Sequence, residues 1–558
     1  MSLSKAIFIS CGMLLAPYGA WAQQADMQNT PELPPVVPES PLAPLLTGGT
    51  GGYGASEQFS PFPKNVALQR PSQLPTLTPA NEGARPFTLQ LGVEGNEQMT
   101  DNVFETAKPT KTDFVTSADT FADMNVDSRH IKGGLKYDLG YDVYASNSQM
   151  DGLRQNGMGL FDVELIDQKL FLDARASVSE QTIKSSGVLT PNSRTAANNL
   201  VRVYTGSITP RFQQRLSDWA LAQVSYHHDE TRYENASVTA PISSSTLQGT
   251  SLNSSKTDGG RLDIRNGEIF SRLLWDYTGD INHVDFGAST FNQVTQTVGS
   301  EYRLTSDFGL LGSAGNDYLH STSVDLKQYN GGFYSVGVHW NPSPDTDMRL
   351  GGGQRYGKTD WIVLFTHWLG SSTVLRLSVD EGITTDDLSF DQALNAVQRD
   401  ENGSFINPFS GLAASPSSPF YTLSNAIYWQ RNSDLVLRHD GARDSVALTA
   451  RLAKQQLIGN LAPSTSPGIN GTIANVMGMD FTWAHHLSPV LSLISQTDGF
   501  KVDSDIEKSK MYKETLSLNY LMNPSLTAIF HASTAASFPA TSQSVRENTI
   551  GAGLRKTF

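Results

Sequence analysis

Gly352-Gly353-Gln354-Arg355-Tyr356-Gly357-Lys358-Thr359 fits the phosphate-loop pattern G-x-x-x-x-G-K-[ST] letter for letter. That chemistry needs a buried strand ahead of the loop and a helix behind it, so that amides at the helix N-terminus hold the phosphates. Here the run from Trp361 to Trp368 that follows reads as a strand. The glycines are therefore expected to let a strand bend, with Arg355 turned to an interior or an outer rim. His227-His228-Asp229-Glu230 and His485-His486 invite a metal reading. Adjacent residues of a strand point to opposite faces, so neither histidine pair chelates without a turn between its members. A Ser-His-Asp hydrolase would need three such residues on one face near a rim, and no spacing here singles out three. No catalytic residue, metal site or cofactor is expected, and the chain is read as a non-enzyme.

The elements that would position any such residue are strands. From Ile131 to Val143 the odd positions are Ile, Gly, Leu, Tyr, Leu, Tyr and Val, and the even ones Lys, Gly, Lys, Asp, Gly and Asp. A period of two makes this a β-strand with one apolar and one charged face. It is longer than the usual strand of about 5 or 6 residues, but suits a tilted membrane-crossing strand of about 9 to 11. Phe87, Leu89, Leu91 and Val93 alternate with Thr88, Gln90, Gly92 and Glu94, and Leu170 to Val178 repeats the pattern. A barrel with its apolar face to lipid and its polar face to a lumen follows. A long strand of a soluble sandwich is the alternative.

Composition agrees. Of 558 residues 38% are hydrophobic, mean hydropathy is −0.30, and beyond the N-terminus no uncharged apolar run reaches the about 18 residues of a helical span. Residues 1–22 read as a secretory signal, with Lys5, an apolar core from Ala6 to Leu15, and Ala20-Trp21-Ala22 ahead of Gln23. The single cysteine, Cys11, lies inside it, so the mature chain is expected to have no thiol and no disulfide. Residues 23–86 are rich in Pro, Gly and Ser and cannot bury a core. They are expected to form a disordered periplasmic segment, acting as a spacer, a tether or a plug. The net charge of −14 argues against nucleic acid as a partner.

Connections of two kinds alternate along residues 87–558. Short turns are read near Asp127-Ser128, Asp167-Gln168, Pro210, Gly279-Asp280, Ser306, Asn341 to Asp345, Gly370-Ser371, Gly441, Leu487-Ser488 and Asn523-Pro524. Long links are read at 179–198, 230–262, 383–419 and 457–472, while Tyr356 to Thr359 looks tight. Trp340-Asn341-Pro342-Ser343, His486-Leu487-Ser488-Pro489 and Leu521-Met522-Asn523-Pro524-Ser525 form a weak repeat on the short side. Short periplasmic turns opposite long outer loops predict an all-β fold, a transmembrane antiparallel up-and-down β-barrel with an even strand number, about 16 to 22. Ten turns favour the upper figure.

The last strand alternates Ile550, Ala552 and Leu554 with Gly551, Gly553 and Arg555 and stops on Phe558. This resembles the signal by which the outer-membrane barrel assembly machinery recognises its clients, from which Lys556 departs. Thr100-Asp101-Asn102-Val103, Thr112 to Thr116, Tyr137 to Tyr141, Val336 to Pro344 and Gly353 to Gly357 carry a wider likeness. On them the chain from about residue 95 onward resembles the PEP-CTERM/exopolysaccharide-associated outer-membrane β-barrel family, of the β-barrel porin type. The resemblance implies an outer-membrane location and a part in polysaccharide export, and carries over no catalytic residue.

The expected function is a pore or docking component linked to exopolysaccharide export. A general diffusion porin for small solutes and a closed structural or adhesive barrel are the alternatives. Lys132, Lys136, Asp138, Asp142, Asp173, Arg175, Arg349, Arg376 and Asp380 are the candidate lumen-facing residues, hydrating the interior and holding sugars weakly. The links at 230–262 and 383–419 are expected at the exposed surface. Trp219, Trp275, Trp340, Trp361, Trp368, Trp429 and Trp483 fit interfacial girdles or a sugar-stacking platform. Outer-membrane lipid, the assembly machinery, polysaccharide and periplasmic export components are the expected partners.

Overall fold

The computed structural model describes residues 86–182, 200–234, 252–399, 405–407, 409–410, 414, 426–461, 473–504, 508–540 and 543–558. The signal segment 1–22, Cys11, all but residue 86 of the segment 23–86, and the middles of the four long links lie outside them. Twenty-two antiparallel strands form one sheet, each paired with the next along the chain. The last, Val545–Thr557, pairs with the first, Phe87–Thr100, from Gly92↔Thr557 to Thr100↔Thr549 and closes the barrel.

The strands run from 10 to 17 residues, enough for tilted crossings of a hydrocarbon layer. Their faces are sorted in the reverse of a water-soluble protein. Phe87, Leu89, Leu91 and Val93 are 43 to 51% exposed, while Glu94, Asn96 and Gln98 on the opposite face are at most 4% exposed. The same inversion recurs with Ile131, Leu139, Tyr141 and Val143 outside and Asp142 inside. A row of exposed aliphatic and aromatic side chains around a closed barrel is stable only against lipid. The chain is an outer-membrane β-barrel.

Ten short connections gather at the end of the barrel that also holds both ends of the strand circuit, the periplasmic end in such barrels. Eight of the ten expected turns fall at or within two residues of them. Gly279-Asp280 and Pro210 do not: they lie inside Leu273–Asp285 and Leu200–Leu216. The turns missed are 217–219 and 267–272, so the omissions cancel the misplacements and the number 22 survives. Pro210, opposite Leu172 on one side, is tolerated because the ladder on its other side skips it. Ile208↔His228 and Arg211↔Ser225 are paired with no rung between them, as a residue without an N–H requires. The Pro-containing repeat marks β-bulges: register shifts fall at Trp340/Ser343, His486/Ser488 and Leu521/Asn523, each just before a periplasmic turn.

One ladder is short. Lys358–Leu369 pairs with Thr373–Thr384 through seven rungs, Val363↔Val379 to Leu369↔Thr373, whereas Thr373–Thr384 pairs with Ala426–Asp440 along all twelve of its residues. Across the unpaired upper part, Arg431 reaches Glu381 at 2.6 Å and donates to the Thr359 carbonyl at 2.6 Å.

Candidate functional site

The phosphate-loop letters form a β-hairpin. Thr346–Arg355 and Lys358–Leu369 are joined by Tyr356 at φ 53 and Gly357 at φ 71. Positive φ at both central residues is the signature of a two-residue type I′ turn, and the chain continues into a strand with no helix to offer amides. Arg355 is buried against the wall, donating from Nε and Nη2 to Asp317 at 2.7 and 2.6 Å and lying over the Phe333 and Tyr356 rings at 4.4 and 4.8 Å. Lys358 donates to Gln456 at 2.7 Å and stands 3.6 Å over Trp429.

The histidines separate to opposite faces. His227 lies 3.7 Å from Asp229 on the inner face, and His228 lies 2.8 Å from Asp258 on the outer one. His485 contacts Asp444 at 2.6 Å. Among the described residues no group of three or more His, Cys, Asp or Glu is placed to hold a metal ion. Trp219 and Trp275 stack at 6.2 Å beside two periplasmic turns, but Trp429 is 3% exposed inside an apolar cluster and belongs to neither a girdle nor an open platform.

The nine charged residues do not converge on one point. Lys132 is exposed beside a periplasmic turn and Asp138 is half-buried. Lys136 lies 3.7 Å from Asp123, and Arg349 lies 3.7 Å from Asp347. Asp142 accepts from Ser117 at 2.6 Å and Arg154 at 3.4 Å. Asp173 accepts from Arg211 at 3.3 Å, and Asp380 accepts from Asn432 at 3.1 Å. Arg175 and Arg376 do something else: they hold a piece of chain inside the barrel. Phe558 is exposed, its N–H donating to the Leu91 carbonyl at 2.8 Å.

That piece is the link after Thr384, expected at the surface. Its described part folds inward. A helix, Asp386–Ala396, starts at once, because Thr385 caps it by accepting from the Leu388 N–H at 3.2 Å and two acidic residues occupy the first turn. Seven of its residues are buried. Leu388 joins the apolar cluster of Phe291, Leu319, Ile383 and Trp429, while Phe390 packs with Val201 and Val203 and Leu394 with Met158, Leu160 and Phe405. Each such side chain contributes about 1.5 to 3 kcal/mol when fully buried. Phe390 and Leu394 thus reach strands roughly halfway around the ring from Thr384, where the link is rooted.

Polar contacts follow the link down the barrel. Near the extracellular end Tyr233 donates to Asp387 and Tyr428 to Asp386. Asp391 accepts from Thr257 at 2.9 Å and Thr231 at 3.1 Å. At the helix C-terminus Arg175 donates to the carbonyls of Leu394 and Val397 at 3.1 Å each, and to that of Asn395. A cation there satisfies orphan carbonyls and complements the helix dipole. Arg399 donates to the Val126 and Gly133 carbonyls at 3.0 and 2.9 Å, one rung from the periplasmic end of their ladder. On the far wall Arg376 donates to the Phe409 carbonyl at 2.8 Å. The described residues of the link thus touch opposite walls of the interior, through Arg399 and Phe409.

Burial pushes the Asp387 carboxyl up to about 7, with the charge of Asp386 adding to the effect and the Tyr233 hydroxyl opposing it. Burial, then the charges of Asp229 and Asp387, hold Asp391 well above the ordinary carboxylate range, against Thr257 and Thr231. A raised carboxyl binds its proton more tightly docked than undocked, so docking is strongest in acid. The contribution of Asp387 is lost as pH rises from about 4 to about 7, and that of Asp391 over a range that extends higher. An Ala393→Cys variant labelled with a polar maleimide, normalised to an exposed cysteine, should react slowly at about pH 5 and faster at about pH 8; Asp387→Asn should flatten that profile. In the same assay Arg175→Met should speed labelling about tenfold at every pH, since hydrogen bonds to a charged group contribute about 1.5 to 3 kcal/mol.

No family profile matches the chain and no curated relative does. Among solved structures it is similar to the FrpB iron transporter from Neisseria meningitidis, with 10% identity and a TM-score of 0.44 over 84% of this chain and 81% of that one. It is similar to the siderophore receptor PirA from Pseudomonas aeruginosa, with 10% identity and a TM-score of 0.36 over 84% and 80%. The Pseudomonas aeruginosa protein OccK2 (OpdF) aligns over 85% of this chain and 97% of its own at 9% identity, with a TM-score of 0.32.

Proposed function

We propose that this outer-membrane barrel is a passage for hydrophilic solutes of the saccharide class, serving polysaccharide export, and that the inward-folded link holds it shut. The observation behind this reading is the link itself. Arg399 ties it to one wall and Arg376 to the other, within a barrel whose inner face is lined by ion pairs such as Arg154 with Asp119 at 2.5 Å and Arg211 with Asp173 at 3.3 Å. Paired charges hydrate a path without holding any one sugar tightly. The likeness of Val336 to Pro344 to the exopolysaccharide-associated family supplies the direction of use.

Swelling of proteoliposomes in glucose, maltohexaose and longer glucans tests the reading. Slow entry of all of them into wild-type vesicles, and fast entry of oligosaccharides once the link is removed, supports it. Fast glucose entry through the wild type replaces it with the general porin. Exclusion by both replaces it with a closed structural barrel.

A further inference from the structure

The outward face changes character at its extracellular end in one sector. On the strands Asp444–Asn460, Leu491–Ser504, Lys508–Asn523 and Val545–Thr557, Lys454, Lys501, Lys508, Lys510 and Arg546 are all exposed on the outward face, close to the outer links. Lys501 and Lys510 face each other directly across one rung. Asn475 pairs with both Lys454 and Asp503, and Asp503 with Lys508. Tyr512 and Arg546 flank Ala536. The acids among the described residues here are Asp503, 3.3 Å from Lys508 and 3.9 Å from Lys501, Glu514, which accepts from Tyr512, and Asp101, which accepts at 2.6 Å from the same Asn548 side chain that accepts from Arg546 at 3.2 Å. Among the described residues five cations thus meet three anions in a chain whose net charge is −14, and the sequence adds Asp505 and Glu507 in the link between Lys501 and Lys508, outside the described residues.

On the strands Leu200–Leu216 and Ala220–Glu234 the outward rim neutralises itself. Arg202 is ion-paired with both Glu180 and Glu234, and Arg232 with Glu230. Like charges directly opposite on neighbouring strands are destabilising, so Lys501 opposite Lys510 is a cost that the paired Arg202 and Arg232 avoid. Height supplies the reason. Ten residues separate Lys510 from the exposed Tyr520 near the periplasmic turn, and a tilted strand rises about 2.5 Å per residue along the barrel axis. The lysines therefore stand about 25 Å above Tyr520, at the outer edge of the apolar band. Anionic headgroups lie at that level in the outer leaflet, and each basic residue near such a surface adds attraction.

We propose that this sector is a binding face for the phosphate groups of lipopolysaccharide, with Lys501 and Lys510 clamping one phosphate and Lys454, Lys508 and Arg546 flanking it. The proposal is independent of what passes through the barrel. The test uses the full-length mature protein, folded in detergent with EDTA present, and native mass spectrometry against deep-rough lipopolysaccharide and its enzymatically dephosphorylated form. The wild type should bind the phosphorylated form about tenfold more tightly, Lys501→Glu with Lys510→Glu should abolish the preference, and Asp503→Asn should increase it. Equal binding of both lipids by the wild type, or an unchanged preference in the double variant, overturns the proposal. Should the charge reversal prevent folding, Lys501→Gln with Lys510→Gln removes the charges without adding repulsion and is read the same way.

Discussion

Replacing residues 386–424 by a short Gly-Ser bridge is expected to raise the single-channel conductance of the refolded barrel several-fold, a larger functional change than any point substitution in the wall should produce. The wall tolerates the deletion because its ends are already neighbours: Thr384 pairs with Tyr428 in the ladder that joins Thr373–Thr384 to Ala426–Asp440. A hairpin of a few residues closes such a gap. What is lost includes the helix and the described residues around Arg399, Phe405 and Phe409, the material that now lies against the interior walls. Planar-bilayer recordings of both proteins decide the matter, each with and without residues 23–86. A rise on removing the link alone identifies the link as the closure, and a rise only on removing 23–86 moves that role to the N-terminal segment. Silence in every combination leaves a structural barrel.

The largest expected loss of stability comes from Arg355→Ala. Arg355 is completely buried and forms a fork to both oxygens of Asp317, itself 1% exposed, so truncation strands a carboxylate where water does not reach. Removing one partner of such a pair costs about 3 to 5 kcal/mol. The stacking of the guanidinium on Phe333 and Tyr356 is lost as well. Urea unfolding in lipid vesicles should show the midpoint fall, and Arg355→Met with Asp317→Leu should recover most of it, because no orphaned charge remains. Equal loss in single and double variants would assign the effect to packing alone. The residue that gives the nucleotide-loop pattern its appearance thus acts as a rivet between wall strands.

The barrel was legible because its signal is periodic. Ile131 to Val143 sorts its faces so cleanly that the strand runs within one residue of the expected span. The turns at Gly370 and Gly441 announce themselves by residue type. Strand interiors that borrow turn residues were misread: Gly279-Asp280 is an ordinary turn signal, but here Asp280 sits 3.9 Å from Arg261 across the sheet. The strand Ser255–Asn266 was partly hidden in a link because its upper outward positions, Lys256 and Asp258, lie above the apolar band and lack the alternation. The inward-folded link left one local mark, Thr385-Asp386-Asp387 ahead of Leu388, which is a helix start. Its inward direction was not legible, since it depends on Arg175 and Tyr233, which lie 220 and 154 positions before their partners Asn395 and Asp387. Of the nine candidate interior residues, chemistry alone could not tell Arg175 and Arg376, which hold the link, from Asp142 and Asp173, which pair along the wall.

The strand Thr373–Thr384, which carries the chain into the interior, is sewn to its earlier neighbour only through its lower seven rungs. Mechanically it is a leaf spring, clamped below Asp380 and supported on one side above it. A pull on the helix flexes the free upper part of this strand before it tears the sheet, and the resistance on the unsewn side comes from the Arg431 bridge to Glu381 and Thr359. The yield point of the closure is thereby set by a few side-chain contacts, and the barrel wall keeps its row of backbone bonds intact while the link moves.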